Sequence, residues 1–165
     1  MKFLTLSADP AANTVAWNSY REYLRSVRDR LPAAVAKFAG ADWWYNPNDH
    51  RSLHDAWVES IRLDETALAA SRVRPINIDV TLLGPYHDRR TTLSYRDVSQ
   101  YALRLDQSSL DGAGGHGDWL IDEIRLSPAG GVIHEVEFSS GATWLIECAT
   151  IQYATTDVTV APYRS

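Results

Sequence analysis

The segment Val132-Ile133-His134-Glu135-Val136-Glu137-Phe138-Ser139-Ser140-Gly141-Ala142-Thr143-Trp144-Leu145-Ile146-Glu147-Cys148 decides the fold. On either side of Ser139-Ser140-Gly141, apolar and polar residues alternate with the period of a half-buried strand. A three-residue hairpin loop with Gly141 in the left-handed position sets Phe138 opposite Ala142. One face then collects Val132, His134, Val136, Phe138, Trp144, Ile146 and Cys148. A two-residue loop would instead mix Thr143 and Glu147 into that face. Because a slip of one residue turns every side chain over, burial selects the three-residue loop. Upstream, Ser127-Pro128-Ala129-Gly130-Gly131 is a second turn. Pairing Leu126 with Val132 across it adds Leu120, Asp122, Ile124 and Leu126 to the same apolar face.

The alternation extends back to residue 57. Candidate strands are 57–63, 74–83, 89–96, 98–105, 119–126, 132–138 and 143–149, with Ile76, Ile78, Val80 and Leu82 as the clearest series. Whether 89–105 is one strand or two stays open. The polar, glycine-rich stretch 106–118 is the one long loop. The N-terminal third has a different period: Trp17, Tyr20, Leu24, Val27, Leu31, Val35 and Phe38 form one stripe of a helix, with Arg21, Arg25, Arg28, Asp29 and Lys37 off it. Asp9-Pro10 suits an N-cap followed by proline at the first helical position, with Asn13 as a rival cap. Pro32 should kink the helix or divide it in two, and Gly40 is a stop. The expectation is a single α+β domain over 1–165. A helical segment at 10–40 packs on a mainly antiparallel meander of six to seven strands within 56–153, flat or curled into a sandwich or half-barrel.

Composition bounds the rest. With 165 residues, 45% hydrophobic and 22% charged, the chain fits one globular domain. Its one cysteine, Cys148, leaves no intrachain disulfide and no cysteine-based zinc site. No apolar run reaches the ~20 residues of a membrane span, and a cytoplasmic location is the default expectation. The net charge is −5, unevenly spread: residues 1–105 carry 14 basic and 12 acidic side chains, whereas the remainder carries Arg125 and Arg164 against nine carboxylates. Such a field repels nucleic acid and favours basic partners.

Three constellations are candidates for function. In the hairpin register the second sheet face carries Trp119, Glu123, Arg125, Ile133, Glu135, Glu137, Leu145 and Glu147, with Glu123 directly opposite Glu135. Like charges so placed destabilise a sheet, which suggests a surface that meets a basic group, with Trp119, Ile133 and Leu145 as apolar contacts. Asp122 and His134 fall as diagonal neighbours on the apolar face. They read either as a base oriented by a carboxylate or as a satisfied polar pair at the edge of the core. Finally, His54, Asp55, His87, His116 and Asp118 lie in loops and would share one rim of an up-and-down meander, where they could hold a divalent ion or serve a hydrolase. That rim requires 89–96 and 98–105 to be separate strands. A Trp43-Trp44-Tyr45 block is either a partner anchor or a cover for the open end of the sheet. No phosphate-loop or nucleophile-elbow motif is present, and no cofactor is implied.

The runs Leu53-His54-Asp55-Ala56-Trp57-Val58-Glu59-Ser60-Ile61, Ile76-Asn77-Ile78-Asp79-Val80-Thr81-Leu82 and Thr92-Leu93-Ser94-Tyr95-Arg96-Asp97-Val98 resemble small bacterial immunity-type proteins that accompany polymorphic toxins. His116-Gly117-Asp118-Trp119-Leu120 and His134-Glu135-Val136-Glu137-Phe138 are similar to segments of uncharacterised bacterial proteins. The resemblance implies an α+β or sandwich-like fold and a cytoplasmic, non-enzymatic, protein-binding role. The expected partner is then a cognate toxin with a basic surface, met by Glu123, Glu135, Glu137, Glu147, Trp119 and Leu145; nucleic acid and membrane are not expected partners. The metal-binding or hydrolytic use of the loop rim is the alternative.

Overall fold

In the computed structural model, residues 1–5, 7–66, 74–105 and 115–158 are described. Helix α1 spans Pro10–Val27, and Asp9 caps it by accepting the Ala11 amide at 2.9 Å. Asn13, the rival cap, instead bonds to the Ser7 backbone. After one 3₁₀ turn at Arg28–Arg30 the chain extends through Leu31 and Pro32, then forms the short helix α2, Ala33–Ala36. Proline therefore divides the helical segment rather than bending it. Tyr20, Leu24, Val27, Leu31, Val35 and Phe38 of the apolar stripe are all buried. No helix among the described residues is long and apolar enough to cross a membrane.

The strands are β1 (Trp57–Glu65), β2 (Ile76–Leu83), β3 (Arg89–Arg104), β4 (Trp119–Leu126), β5 (Val132–Phe138) and β6 (Thr143–Asp157). They form one antiparallel sheet in the order β1-β2-β3-β6-β5-β4, so the α+β expectation holds. The long β3–β6 ribbon is its spine: β1 and β2 build out from the first part of β3, and β5 and β4 build out from the first part of β6. The candidate strands 89–96 and 98–105 are one strand with a bulge. Asp97 adopts φ 52°, and the pairing with β6 shifts between Val98 and Gln100. The sheet curls without closing into a barrel; one bridge, Trp57 to Asp118, links the start of β1 to the residue before β4.

The hairpin register is as the pattern requires. Phe138 donates to the Ala142 carbonyl at 3.0 Å, Gly141 has φ 84°, and Val136 faces Trp144. Leu126 pairs with Val132, where Gly131 must be glycine: its φ is 81° and a Cβ would collide with the Cys148 carbonyl oxygen. The expectation fails at the first residues of β4. A register shift between Trp119 and Ile121 rotates Trp119 onto the apolar face, where it is 1% exposed, instead of leaving it on the acidic one.

The two edges of the sheet are finished differently. At β4 the Tyr20 hydroxyl of α1 accepts the Ile124 amide at 2.6 Å and lies 3.1 Å from the Ile124 carbonyl, and the Tyr23 hydroxyl accepts the Leu126 amide at 2.8 Å. Helix side chains thus occupy the hydrogen-bonding positions of a missing neighbour. Residues 1–4 cover the adjoining sheet face. Glu123, fully buried, accepts the amides of Lys2, Phe3 and Leu4 at 2.9, 2.6 and 2.9 Å. Its facing residue Glu135 is reconciled with it by Arg125, whose Nε lies 2.6 Å from Glu123 and whose Nη2 bonds Glu135. The Met1 nitrogen stands 3.3 Å from Glu135.

An amide in place of the buried carboxylate keeps one acceptor oxygen but loses the charge and sets an NH2 group against the remaining N–H donors. Glu123→Gln is therefore expected to cost roughly 3 kcal/mol in denaturant unfolding and to deprotect the amides of residues 2–4 in hydrogen exchange. A wild-type midpoint with those amides still protected would contradict the clamp. Glu135 supplies a pH signature. Burial alone would raise its carboxyl, but Arg125 and the Met1 nitrogen outweigh burial and hold it below the ordinary value of 4.5. Its contribution is complete above that value and is lost as pH falls through the lower folded one. Glu135→Gln should flatten the acid limb of the stability–pH curve while leaving its neutral shape unchanged.

Candidate functional site

The buried polar cluster is the first place to look for chemistry. Asp122 accepts Trp44 Nε1 at 2.9 Å and Trp119 Nε1 at 3.1 Å, and lies 3.2 Å from His134 Nε2. His134 Nδ1 is 2.9 Å from the Tyr95 hydroxyl. One arrangement satisfies every atom: the imidazole donates from Nε2 to Asp122 and accepts from Tyr95 at Nδ1. Asp122 and His134 are 4% and 1% exposed, so no substrate reaches them. The pair is structural. Burial likewise pushes the Cys148 thiol up to about 12, too high for a nucleophile near neutral pH. The Trp43-Trp44-Tyr45 block covers the sheet rather than projecting from it: Trp44 stacks on Phe38 at 4.6 Å, and Trp43 lies 5.1 Å from Tyr153.

The expected acidic docking face does not form as a set. Glu123 and Trp119 are buried, and Glu135 is engaged by Arg125. Glu147 accepts the Ser127 hydroxyl, while Ile133, Glu137 and Leu145 are half-buried. Glu123 and Glu135 find their donors inside the molecule, in the backbone amides of residues 2–4 and the Arg125 guanidinium.

The loop rim is brought together in part. Asp55 and His87 both adopt left-handed backbone, with φ 65° and 57°. The Asp55 amide donates to the Trp119 carbonyl at 2.8 Å, which ties the entry to β1 against the start of β4. Trp57 then projects between the two, its Nε1 2.7 Å from Asp118 Oδ1 and its ring 4.5 Å from His87. On the other side of the β2–β3 turn, Tyr86 stacks on His50 at 3.9 Å, and His50 Nδ1 lies 2.6 Å from Asp88. His54 pairs with its neighbour Asp55 at 3.0 Å. His116 turns away, with its ring 5.2 Å from Phe138 and 5.0 Å from Trp144; burial lowers its pKa. Among the described residues no three His, Cys, Asp or Glu side chains converge to hold a metal. As the continuous β3 requires, the metal rim His54, Asp55, His87, His116 and Asp118 is not assembled.

The rim offers an aromatic surface instead. Trp57, 48% exposed, is braced by His87 and Asp118, and Tyr86, 46% exposed, by His50, which Asp88 holds in turn. It adjoins β1, which is exposed along most of its length on both faces, Leu63 included. Tyr86 was not legible as a site residue, because nothing in a turn sequence says which aromatic will be left uncovered. No protein-family model, curated protein or solved structure matches this chain.

Removing the acceptor at the centre of the cluster separates its structural role from a chemical one. Asp122→Ala strands two indole N–H groups and the imidazole in the core, with an expected loss of about 3–5 kcal/mol of folding stability in urea. A folded, equally stable Asp122→Ala protein would overturn this reading.

Proposed function

We propose that this protein is a protein-binding module that takes an extended segment of its partner along the open edge of β1, with Trp57 as the anchor at one end. The contrast between the edges carries the reading. Tyrosine hydroxyls close β4, whereas beyond the Trp57–Asp118 bridge the outer edge of β1 pairs with no strand among the described residues. An open edge offers main-chain donors and acceptors at the strand repeat, and exposed side chains at alternate positions add selectivity. Tryptophan and tyrosine held by flanking groups contribute large contact area at small entropic cost.

The more specific form of the proposal is an immunity-type role, in which the module occludes a cognate toxin. The resemblance of the 53–61, 76–82 and 92–98 runs supports it. The net charge of −5 favours a basic partner by long-range steering. Contact through β1 assigns Glu137, Glu147 and Leu145, on the other half of the sheet, at most a peripheral part.

The test uses the partner retained by the full chain from its own host. Hydrogen exchange of the complex should show new protection along 57–65, and Trp57→Ala with Leu63→Lys should weaken binding at least about tenfold without a change in melting temperature. Protection confined to β4–β5, or undiminished affinity in the double variant, would exclude the β1 edge. A concentration-dependent dimer of the chain itself, abolished by Leu63→Lys, would reassign that edge to self-association.

A further inference from the structure

We propose that the cleft between α1 and the segment after α2 is an anion site for a small phosphomonoester with a compact apolar body. The cleft has a volume of about 280 Å³. Arg21, Arg25 and Arg28 project into it from α1 and the turn that follows, and Lys37 from the opposite wall. The arginines stand at i, i+4 and i+7, one face of the helix, over a length of about 10 Å at 1.5 Å per residue. Like charges at that spacing destabilise a helix. Helix-dipole compensation accounts for Arg25 and Arg28 near the C-terminus, but not for Arg21 a turn earlier or for Lys37 across the cleft.

What sets the four cations apart is that they line one cleft; Lys2, Arg30, Arg74 and Arg104 are likewise without an ion pair among the described residues but lie outside it. Arg51, Arg62, Arg89, Arg90, Arg96 and Arg125 each have a carboxylate within ion-pair distance. Among the described residues Arg21, Arg25, Arg28 and Lys37 have none, although Glu22 and Asp29 lie on the same stretch and Asp42 lines the same cleft. In a chain of net charge −5, carboxylates are not scarce, so the vacancy is a matter of placement. Guanidinium forks match the oxygens of phosphate in pairs, and two or three together discriminate a dianion from a single carboxylate.

The floor sets the other half of the ligand. Leu24 and Leu31 form part of the wall and are otherwise buried, so a bound molecule meets aliphatic surface below the cations. The volume lies just under the lower end of the range for small-molecule pockets, which admits a phosphate with one ring or a short chain and excludes a dinucleotide. Asp42, also in the lining, disfavours a ligand with negative charge at both ends.

Amide-resolved NMR titration tests this directly, with phenyl phosphate, inorganic phosphate and phenol as probes on the full chain. Phenyl phosphate should shift resonances within 21–45, bind about tenfold more tightly than inorganic phosphate, and weaken as salt is raised. Phenol should produce no such shifts. Arg21→Gln with Arg25→Gln should lower phenyl phosphate affinity at least about tenfold; both side chains are exposed, so the melting temperature should not move. Trp57→Ala should leave this binding unchanged, which separates the cleft from the β1 edge. Equal binding of phenyl phosphate by the double arginine variant, or shifts scattered outside 21–45, would overturn the site. Saturable binding of an acidic peptide in the absence of any phenyl phosphate response would also overturn it, and would assign the cleft to a protein partner.

Discussion

Two consecutive buried carboxylates in one strand organise this molecule. Neighbouring residues of a strand point to opposite faces, so Asp122 and Glu123 enter different layers from adjacent positions in β4. Asp122 gathers the indoles of Trp44 and Trp119 and the imidazole of His134 on the inner face. Glu123 gathers three main-chain amides and a guanidinium on the outer one. A charge taken from water is tolerable only where several donors replace the lost hydration. The demand for donors is what draws the 43–45 segment onto one side of β4 and residues 1–4 onto the other.

Much of the architecture follows from local pattern alone. The hairpin register, the turn at Gly131, the Asp9 cap and the break at Pro32 each depend on a few adjacent residues, and each is legible in sequence. What is not legible depends on partners far along the chain. Glu123 reads as a surface residue because its donors lie about 120 positions away, in residues 2–4. The repulsion between Glu123 and Glu135 is legible and requires a cation, which Arg125 supplies from within the molecule. Trp119 is misplaced for a different reason: one extra residue in the pairing near Leu120 reverses its face, and no composition signal marks that bulge.

The candidate sites divide along the same line. The histidine rim required separate strands where the backbone instead bends through Asp97, so its ligands do not meet. The arginine row was visible as the polar side of an amphipathic helix. Its significance lies in the cleft that the fold sets beside it, which Lys37 also lines. Chemistry that needs convergence from distant segments is hidden from a periodic reading, whereas chemistry on a single helix face is half visible.

The clamp at Glu123 also bears on the order in which the chain folds. Its contacts with residues 2–4 close a loop of 119 to 121 residues, among the more entropically expensive closures in the fold. The β4–β5–β6 hairpins are local and can form while that carboxylate is still hydrated on an open face. Its desolvation is then deferred until the amides arrive to replace water. Loop-closure entropy thus predicts that the N-terminal strap settles last on the β4 edge, with the carboxylate desolvated only as its donors arrive.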